Sequence, residues 1–337
     1  MPIWTKEELA LPCDERVAVL KPIIVSASRS TDIPAFYADW FLERLKAGYC
    51  NWVNPFNRET YRVSFEDARM IVFWSKNPKP MIERLDELEE LGFKNYYFQF
   101  TLNDYVREGL EPNVPAVEER IETFKALAKR IGKERVIWRY DPLILSDDLT
   151  VDTLLERIAC IGWELRGSAE KLVFSFADIL AYRKVVKNLA GTTCREFTPG
   201  EKIAFAKGLR NISIDLGLEM ATCAEDIDLL AYGIKHNKCV DDDLMMRLFN
   251  ADSKLMEFIG AEYDMLDGWS IKKSKKDKGQ RKACGCVISK DIGMYNTCPH
   301  LCKYCYANSS EDAVLANHKR HNAACHESCL IPQNDTH

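Results

Sequence analysis

Three cysteines near the end of the sequence have the spacing of metal ligands. Cys298, Cys302 and Cys305 lie in the stretch NTCPHLCKYCYAN, and Tyr304 and Tyr306 flank the last of them. The Cys-x3-Cys-x2-Cys spacing lets three thiolates converge on one side of a compact loop. Most structural zinc and iron–sulfur sites have four protein ligands, whereas a 4Fe-4S cluster held by three cysteines leaves one iron free for a small molecule. A flanking tyrosine can shield such a cluster or stack on an adenine, so both tyrosines are candidate cofactor contacts.

Four other cysteines form a candidate second metal site: Cys223, Cys239, Cys284 and Cys286. Four thiolates would satisfy either a tetrahedral zinc or a second iron–sulfur cluster, which would fasten the end of the chain to the preceding domain. The alternative is that Cys223 and Cys239 are small buried apolar residues. Cys325 and Cys329 are also ambiguous, because their spacing suits either metal binding or surface thiols.

The composition favours metal binding over disulfides. The chain has 337 residues, 47% of them hydrophobic, and a net charge of -5. This charge argues against a general nucleic-acid or anionic-membrane binder, although it leaves room for a local basic patch. The sequence starts without a signal-like apolar segment and contains no apolar run of about 18 residues. We therefore expect a cytoplasmic protein with no membrane partner, in which the thirteen cysteines stay reduced.

Short β-rich runs that end in polar residues alternate with helix-like stretches. The runs begin at Ile23, Tyr49, Met70, Asn95, Arg135, Lys171 and Leu218. Several of the helix-like stretches end at a glycine, as helices often do. This alternation predicts an α/β fold with a mostly parallel sheet, and its number of units fits a closed, TIM-like (β/α) barrel. An open doubly wound sheet is the alternative, and residues 57–66 could form a hairpin insertion.

A basic segment, KKSKKDKGQRKAC, divides the chain into two predicted domains. Residues 1–271 form the barrel domain, and residues 272–337 form a cysteine-rich metal-binding extension packed on the barrel. We interpret the basic segment, residues 272–284, as a solvated linker. The alternative is a phosphate contact, which would suit a nucleic-acid substrate.

Polar residues follow the predicted strands at the ends that would meet at one mouth of a barrel. This candidate lining comprises Arg29, Asp32, Asn54, Asn57, Lys76, Asn77, Gln99, Thr101, Arg139, Asp141, Ser175 and Asp178. The candidate catalytic residues among them are Arg29, Asp32, Lys76, Arg139 and Asp141, and the further candidate cofactor contacts are Asn77 and Gln99. Because side chains alternate along a strand, Arg139 and Asp141 should share a face. Each residue taken singly could instead be an ordinary turn residue.

The cysteine loop resembles that of the radical S-adenosylmethionine enzymes, and its text looks most like the cluster loop of the spore photoproduct lyase group. The shared features are the cysteine spacing and the aromatic residue before the last cysteine. The resemblance implies a 4Fe-4S cluster whose open iron binds S-adenosylmethionine, cleavage of that cofactor to a 5'-deoxyadenosyl radical, and a flavodoxin- or ferredoxin-type electron donor. In those enzymes the loop follows the first barrel strand, whereas here it follows the predicted strands, and no Gly-Gly-Glu-like motif is evident. We therefore expect a permuted arrangement, in which the end of the chain folds back over the barrel mouth and brings Cys302 near Arg139.

The sequence as a whole resembles a bacterial family of unknown function, domain of unknown function 1848. The shared motifs run from SASRSTDIPAFYADWF through NPFN, FWSKNP, YYFQFTLNDY and VIWRYDP to CGCVISKDIGMYNTCPHLCKYCYAN. The resemblance implies membership of a family and no particular reaction.

Three classes of function follow. The favoured one is a radical enzyme that acts on a small-molecule or nucleic-acid substrate at the barrel mouth. The second is a hydrolase or isomerase that works at Arg139, Asp141 and Lys76 and carries a purely structural zinc or iron–sulfur site. The third is a non-catalytic electron-transfer or binding protein.

Overall fold

The computed structural model describes residues 6–10 and 16–332. The strands are β1 (Lys6–Ala10), β2 (Arg16–Leu20), β3 (Ile24–Ala27), β4 (Tyr49–Val53), β5 (Thr60–Ser64), β6 (Met70–Ser75), β7 (Tyr96–Thr101), β8 (Val136–Leu143), β9 (Lys171–Phe176), β10 (Glu219–Cys223), β11 (Ile234–Asn237), β12 (Ala261–Asp264), β13 (Gly268–Ile271) and β14 (Lys290–Asp291). The helices are α1 (Ile33–Phe36), α2 (Ala38–Ala47), α3 (Lys79–Ile82), α4 (Leu85–Glu90), α5 (Val117–Ile131), α6 (Val151–Glu164), α7 (Arg183–Asn188), α8 (Pro199–Leu216), α9 (Asp242–Phe249), α10 (Ser253–Ile259) and α11 (Glu311–Ala323). Within these ranges, no helix is both long and apolar enough to cross a membrane.

Eight parallel strands form the central sheet, in the order β11-β10-β9-β8-β7-β6-β3-β14. Apart from β14, neighbouring strands follow one another in the order in which they occur in the chain. Right-handed crossovers between such strands place the connecting helices on one face of the sheet. The predicted α/β fold with a large parallel sheet is therefore confirmed.

The sheet does not close into the predicted barrel within the part of the chain that the structure describes. β11 and β14 are its two edges, and they do not pair with each other. Both are short, with four residues in β11 and two in β14. Such short strands offer few backbone groups for a further pairing, so the hydrogen-bonded layer stays open.

The two faces of the sheet bury different sets of side chains. On the face covered by the crossover helices, Phe98 and Trp138 belong to the same core as Phe124 of α5. The opposite face belongs to a second core, which combines the sheet residues Met70, Val72, Tyr97, Ile137 and Val173 with Met245, Phe249, Leu255 and Met256 of α9 and α10. Adjacent residues such as Tyr97 and Phe98 face opposite cores, as the alternation along a strand requires. The region after β11 therefore packs on the face of the sheet opposite the crossover helices.

The local sequence sets where the crossover helices begin and end, and α8 shows both signals. The Thr198 hydroxyl accepts a hydrogen bond from the Glu201 backbone, and the Glu201 carboxylate accepts one from the Thr198 backbone. Pro199 takes the first helical position, where no N–H is needed. Gly217 follows the helix with a φ of 65°, a left-handed conformation that favours glycine. These caps fix the length of the crossover from β9 to β10.

The predicted strand that begins at Tyr49 lies outside the central sheet. It is β4, which pairs with β5 as an antiparallel hairpin in a four-stranded sheet of order β1-β2-β5-β4. Because β5 lies within residues 57–66, that segment supplies one strand of the hairpin, and β4 supplies the other. Asn54 and Asn57 occupy the turn of this hairpin, where the Asn54 side chain accepts a hydrogen bond from the backbone of Phe56 (3.0 Å). Both residues therefore belong to this hairpin and not to the carboxyl end of a strand of the central sheet.

The basic segment, residues 272–284, is folded onto the rest of the chain. The backbone N–H of Lys272 donates to Gly260 (2.9 Å), and that of Ile288 donates to Lys275 (2.9 Å). Most of its side chains are exposed, as expected for a solvated segment, while its backbone takes part in these hydrogen bonds. Residues 285–289 connect the segment to β14.

Candidate metal centre at the carboxyl ends of the strands

The last strand in the sequence, β14, lies beside β3 and runs parallel to it. Asp291 of β14 accepts hydrogen bonds from the hydroxyls of Ser26 (2.9 Å) and Ser28 (2.7 Å) and from the backbone N–H of Arg29 (2.7 Å). Gly293 then passes so close to Ser28 that any side chain there would collide with it. Because parallel strands share the edge at which they end, the loop after β14 lies where the loop after β3 also lies.

Buried hydrogen bonds hold the cysteine loop, residues 294–308, in place. The Tyr37 hydroxyl donates to a backbone carbonyl of the loop, and Nε2 of His300 donates to Asp32 (2.9 Å). Asp32 also accepts hydrogen bonds from the Ser75 hydroxyl and from the Lys76 backbone N–H, each at 2.7 Å. Asp32, a candidate catalytic residue from the sequence, is thus occupied in positioning the loop.

The three thiols of the loop are largely removed from water. Cys302 is buried, and Cys298 and Cys305 are half-buried. The Cys305 backbone N–H donates to the Cys302 carbonyl (3.0 Å). Burial raises the pKa of all three thiols, and the neighbouring thiols raise the pKa of Cys298 further. A bound metal would supply the positive charge that thiolates need in such surroundings.

A buried polar network adjoins the cysteine loop. Lys76 donates to Glu111 (2.7 Å) and to the Tyr304 hydroxyl (2.8 Å), and that hydroxyl donates to Glu111. Asn103 also donates to Glu111 (3.0 Å). Burial alone would raise the pKa of Glu111, but Lys76 and Arg120 outweigh burial and hold the pKa below its usual value. The polar groups of Lys76 and Tyr304 are therefore engaged in a network that supports the loop.

Tyr306, on the other side of Cys305, lies at the rim of the site. Its ring stacks on that of Tyr182, with centroids 5.5 Å apart, and its hydroxyl donates to the Arg29 carbonyl (3.2 Å). The Tyr295 ring meets it edge-on at 6.5 Å. Tyr306 is 42% exposed, so part of its ring is accessible to a ligand.

The four cysteines of the predicted second site also come together. The Sγ atoms of Cys223, at the end of β10, and Cys239, after β11, are 3.2 Å apart. The backbone N–H of Cys239 donates to Sγ of Cys286 (3.1 Å), and the N–H of Cys286 donates to Sγ of Cys284 (3.5 Å). Three separate segments thus bring four thiols to one place.

Arg139 and Asp141 share one face of β8 and pair with each other, as the alternation of side chains predicts. Through Nη1, Arg139 also donates to Sγ of Cys239 (2.9 Å) and to the side-chain oxygen of Gln99 (3.2 Å). Gln99 in turn donates to the Cys239 carbonyl (2.8 Å), and Asp141 accepts a hydrogen bond from the Ser175 hydroxyl. These contacts place Arg139 and Gln99 beside the second group of cysteines.

The charge of Lys76 acts on both parts of the site. Burial raises the pKa of Cys302, and Lys76 opposes that shift. Burial would also raise the pKa of Asp141, but Arg139 and, to a lesser extent, Lys76 lower it below its usual value. The charge of Lys76 therefore acts on both Cys302 and Asp141.

The other predicted residues have different surroundings. Arg29 donates through Nη1 to the Ser289 hydroxyl (3.4 Å), and its guanidinium lies 5.2 Å from the Trp74 ring. Asn77 is half-buried after β6, with no hydrogen bond assigned to its side chain among the described residues. Asp178 is an exposed partner of Arg281 (2.5 Å), and Thr101 is half-buried at the end of β7.

Cys329 packs against the four-stranded sheet. It forms an isolated bridge with Asn51 of β4, whose backbone N–H donates to the Ser328 carbonyl (2.9 Å). Burial raises the pKa of Cys329 to about 11. Cys325, four residues earlier, is half-buried. These contacts give Cys329 a packing role at β4.

Sequence reasoning missed four residues that hold the loop in place: Asn103, Glu111, Asp291 and His300. Asp291 and His300 stand within the motifs around the cysteines, so their closeness to the cysteines was the available signal. Glu111 follows β7 in an irregular segment, and nothing in its local sequence marks it as a partner of Lys76.

The distances between potential ligand atoms can be compared with those in known kinds of metal site. Within residues 6–10 and 16–332, one group of three potential ligands has all its ligand atoms within 4.8 Å of one another, namely Asp241, Asp242 and Asp243. A tetrahedral zinc with Zn–S bonds of about 2.3 Å sets its sulfurs about 3.8 Å apart. In neither cysteine group do three sulfurs lie within 4.8 Å of one another, although Sγ of Cys223 and Sγ of Cys239 are 3.2 Å apart.

Comparison with known proteins identifies a family and no activity. No curated protein matches the sequence. A crystal structure of a candidate alpha-L-fucosidase from Bacteroides thetaiotaomicron is similar at 14% identity and a TM-score of 0.26, over 48% of this chain and 64% of that protein's length. A likeness of this size carries no weight for fold or function. The family model described as Domain of unknown function (DUF1848) matches residues 24–307, from β3 through the cysteine loop. The chain therefore belongs to the DUF1848 family.

Proposed function

We propose that this protein is a radical S-adenosylmethionine-like enzyme that binds a 4Fe-4S cluster through Cys298, Cys302 and Cys305. The observation that carries the proposal is the position of β14 at the edge of the sheet, beside β3. In the enzymes that the loop resembles, the cysteines follow the first barrel strand. Here the strand before the cysteines comes late in the sequence but precedes β3 in the order of the sheet, which supports a permuted version of that arrangement.

The chain's own residues hold the ligand loop and shape the place for a cofactor. When bound, a 4Fe-4S cluster would supply an electron and an open iron for S-adenosylmethionine. Asp32 holds the cysteine loop through its hydrogen bond with His300. Lys76 holds the loop at a second point, through its hydrogen bond to Tyr304. Tyr306 offers an accessible ring next to Cys305 on which an adenine can stack.

A cavity of about 570 Å³ lies at the same end of the sheet, between the segments that follow β9 and β10. Its walls include Asp178, Tyr182 and Arg281. Because Tyr182 also stacks on Tyr306, the cavity begins at the rim of the cysteine loop. Its volume is in the range of small-molecule sites, and we place the substrate, a small molecule or one unit of a nucleic acid, in this cavity.

The proposed chemistry needs an electron from outside the chain, and a flavodoxin- or ferredoxin-type protein is the donor that we propose. The ligand thiols must stay reduced until the cluster is inserted. A reducing compartment, the cytoplasm, meets this requirement.

The test is the formation of 5'-deoxyadenosine by protein purified without oxygen, reduced with dithionite and mixed with S-adenosylmethionine. We expect the wild type to form 5'-deoxyadenosine and the Cys302→Ala variant to form none. Cys160→Ala is the matched control, because Cys160 is exposed on α6. The proposal is wrong if wild-type protein with a full complement of iron leaves S-adenosylmethionine intact.

A further inference from the structure

We infer that four cysteines from three separate segments are the ligands of a second iron–sulfur cluster. They are Cys223, Cys239, Cys284 and Cys286. This inference does not rest on the proposed function, since it concerns a different set of thiols. We further infer that Arg139 tunes this cluster through a hydrogen bond to Cys239. Arg139 is then a positioning residue of the second cluster.

The first support is the convergence of the thiols. The Sγ atoms of Cys223 and Cys239 are 3.2 Å apart, although one residue ends β10 and the other follows β11. Cys284 and Cys286 reach the same place from the segment before β14. Cys239 and Cys286 are only 2% and 3% exposed, so they are screened from water and from oxidants.

The second support is the set of N–H groups that point at these sulfurs. Sγ of Cys239 accepts hydrogen bonds from Arg139 (2.9 Å) and from the side chain of Asn237 (3.4 Å). Sγ of Cys286 accepts them from the backbone N–H groups of Cys239 (3.1 Å) and Val240 (3.4 Å). Several N–H donors around a sulfur favour a thiolate ligand, and such donors set the potentials of iron–sulfur clusters.

The third support is the positive charge that faces these sulfurs. The Nη2 atom of Arg29 is buried and has no hydrogen-bond partner among the described residues. The electrostatic partners of this guanidinium include Cys286 and Cys239. With Arg139, two guanidinium groups therefore face four thiols that are neutral when protonated. Arg139 pairs with Asp141, and Asp291 is a further charge partner of Arg29. A cluster held by four thiolates would add negative charge that both arginines stabilise.

The fourth support separates a cluster from zinc. The Sγ atoms of Cys223 and Cys239 form a close pair, and no three of the four sulfurs lie within 4.8 Å of one another in the described chain. A tetrahedral zinc would gather all four sulfurs to about 3.8 Å from one another. A 2Fe-2S cluster, in which each of two irons takes two thiolates, suits one close pair and a Cys-x-Cys pair better than a single central ion does.

The test uses a full-length variant that lacks the loop cysteines, with Cys298, Cys302 and Cys305 each changed to alanine. Purified without oxygen, it should retain about two to four irons with equal sulfide, and reduction should produce one electron paramagnetic resonance signal. Adding Cys239→Ala and Cys286→Ala should abolish both the iron and the signal. A triple variant that holds only zinc, or no metal while its circular dichroism matches the wild type, would overturn the second cluster.

The two proposals fail separately, because each set of cysteines can be removed alone. The Cys239→Ala and Cys286→Ala double variant, with the loop intact, should still produce the signal of the loop cluster. If the double variant does not fold, the electron paramagnetic resonance spectrum of the reduced wild type is the test. Two clusters should give two distinct signals, whereas one cluster should give one.

The role of Arg139 has its own readout. Replacing Arg139 with glutamine removes a positive charge beside the cluster, so the reduction potential of the second signal should fall while the iron content stays constant. Arg139→Lys, which keeps the charge, should restore most of the potential. An unchanged potential in Arg139→Gln would show that Arg139 does not act on a cluster.

Discussion

Ser28 donates a 2.7 Å hydrogen bond to Asp291, although the two residues are 263 positions apart in the chain. Three further donors from β3 and the turn after it also reach this carboxylate: the Ser26 hydroxyl, the Ser30 hydroxyl and the Arg29 backbone N–H. Through this one side chain, a two-residue strand from the end of the chain is fixed beside β3. The position of the cysteine loop follows from that contact.

Replacing Asp291 with alanine should loosen the cysteine loop. The substitution leaves the buried hydroxyls of Ser26 and Ser28 without their acceptor, so we expect the free energy of unfolding to fall by about 2 kcal/mol or more. Iron content should fall as well, because the loop loses its anchor. Urea denaturation and iron analysis measure the two effects. Asp39→Ala, which breaks an exposed pair with Arg84, is the control that should change neither.

The buried Lys76–Glu111 pair should matter far more to stability than an exposed pair. Glu111→Gln leaves the buried Lys76 ammonium without its counter-charge, so we expect a loss of about 3 kcal/mol. The exposed pair of Lys79 and Glu119, with side chains 57% and 51% exposed, is the control. Glu119→Gln should cost less than about 1 kcal/mol in the same urea denaturation experiment. Equal losses in the two variants would contradict the role given to the buried network.

Tyr304 and Tyr306 should differ in what their hydroxyls contribute. Tyr304→Phe removes a hydroxyl shared by Lys76 and Glu111 inside the protein, so we expect a loss of about 1 to 3 kcal/mol. Tyr306→Phe removes a hydroxyl at an exposed rim and should change the stability by less than about 0.5 kcal/mol. Thermal or urea denaturation measures the stability of both variants. A larger loss in Tyr306→Phe than in Tyr304→Phe would contradict the roles given to the two hydroxyls.

Lys290 should make the stability depend on pH. Burial lowers its pKa to about 7, whereas an unfolded lysine titrates near 10.4. Between these values the unfolded chain binds a proton that the folded chain does not, so unfolding becomes harder as the pH rises. The gain is complete above the unfolded pKa and is lost as the pH falls toward 7.

The measurement compares the wild type with Lys290→Met in urea at several pH values. The difference in unfolding free energy should rise in favour of the wild type by about 1.4 kcal/mol per pH unit above pH 7. The Lys290 ammonium also lies 2.9 Å from the centre of the Trp52 ring, and this contact favours the charged form. A difference that stays flat up to pH 9.5 would mean that the tryptophan outweighs burial.

The longer strands of the fold could be predicted from the sequence, and the shortest could not. The runs at Met70, Asn95 and Lys171 are apolar and became β6, β7 and β9. β14 consists of Lys290 and Asp291, which have neither hydrophobic periodicity nor β-branched residues. Its place in the sheet depends on tertiary hydrogen bonds, and these have no local signature.

Part of the candidate site could also be predicted from the sequence, and part could not. The two groups of cysteines were visible from residue type and spacing, because clustered cysteines favour metal binding. The partners of Lys76 were not visible, since Glu111 and Tyr304 are 35 and 228 positions away from it. Strand parity predicted the shared face of Arg139 and Asp141, but it could not show that Arg139 reaches Cys239.

The most direct test of the central claim is the iron and sulfide content per chain of protein purified without oxygen. Wild type is compared with the variant in which Cys298, Cys302 and Cys305 are all alanine, and with Cys160→Ala as control. The account predicts that the triple substitution removes about four irons and four sulfides and that the control removes none. Equal iron in the wild type and the triple variant, or zinc in place of iron, would contradict it.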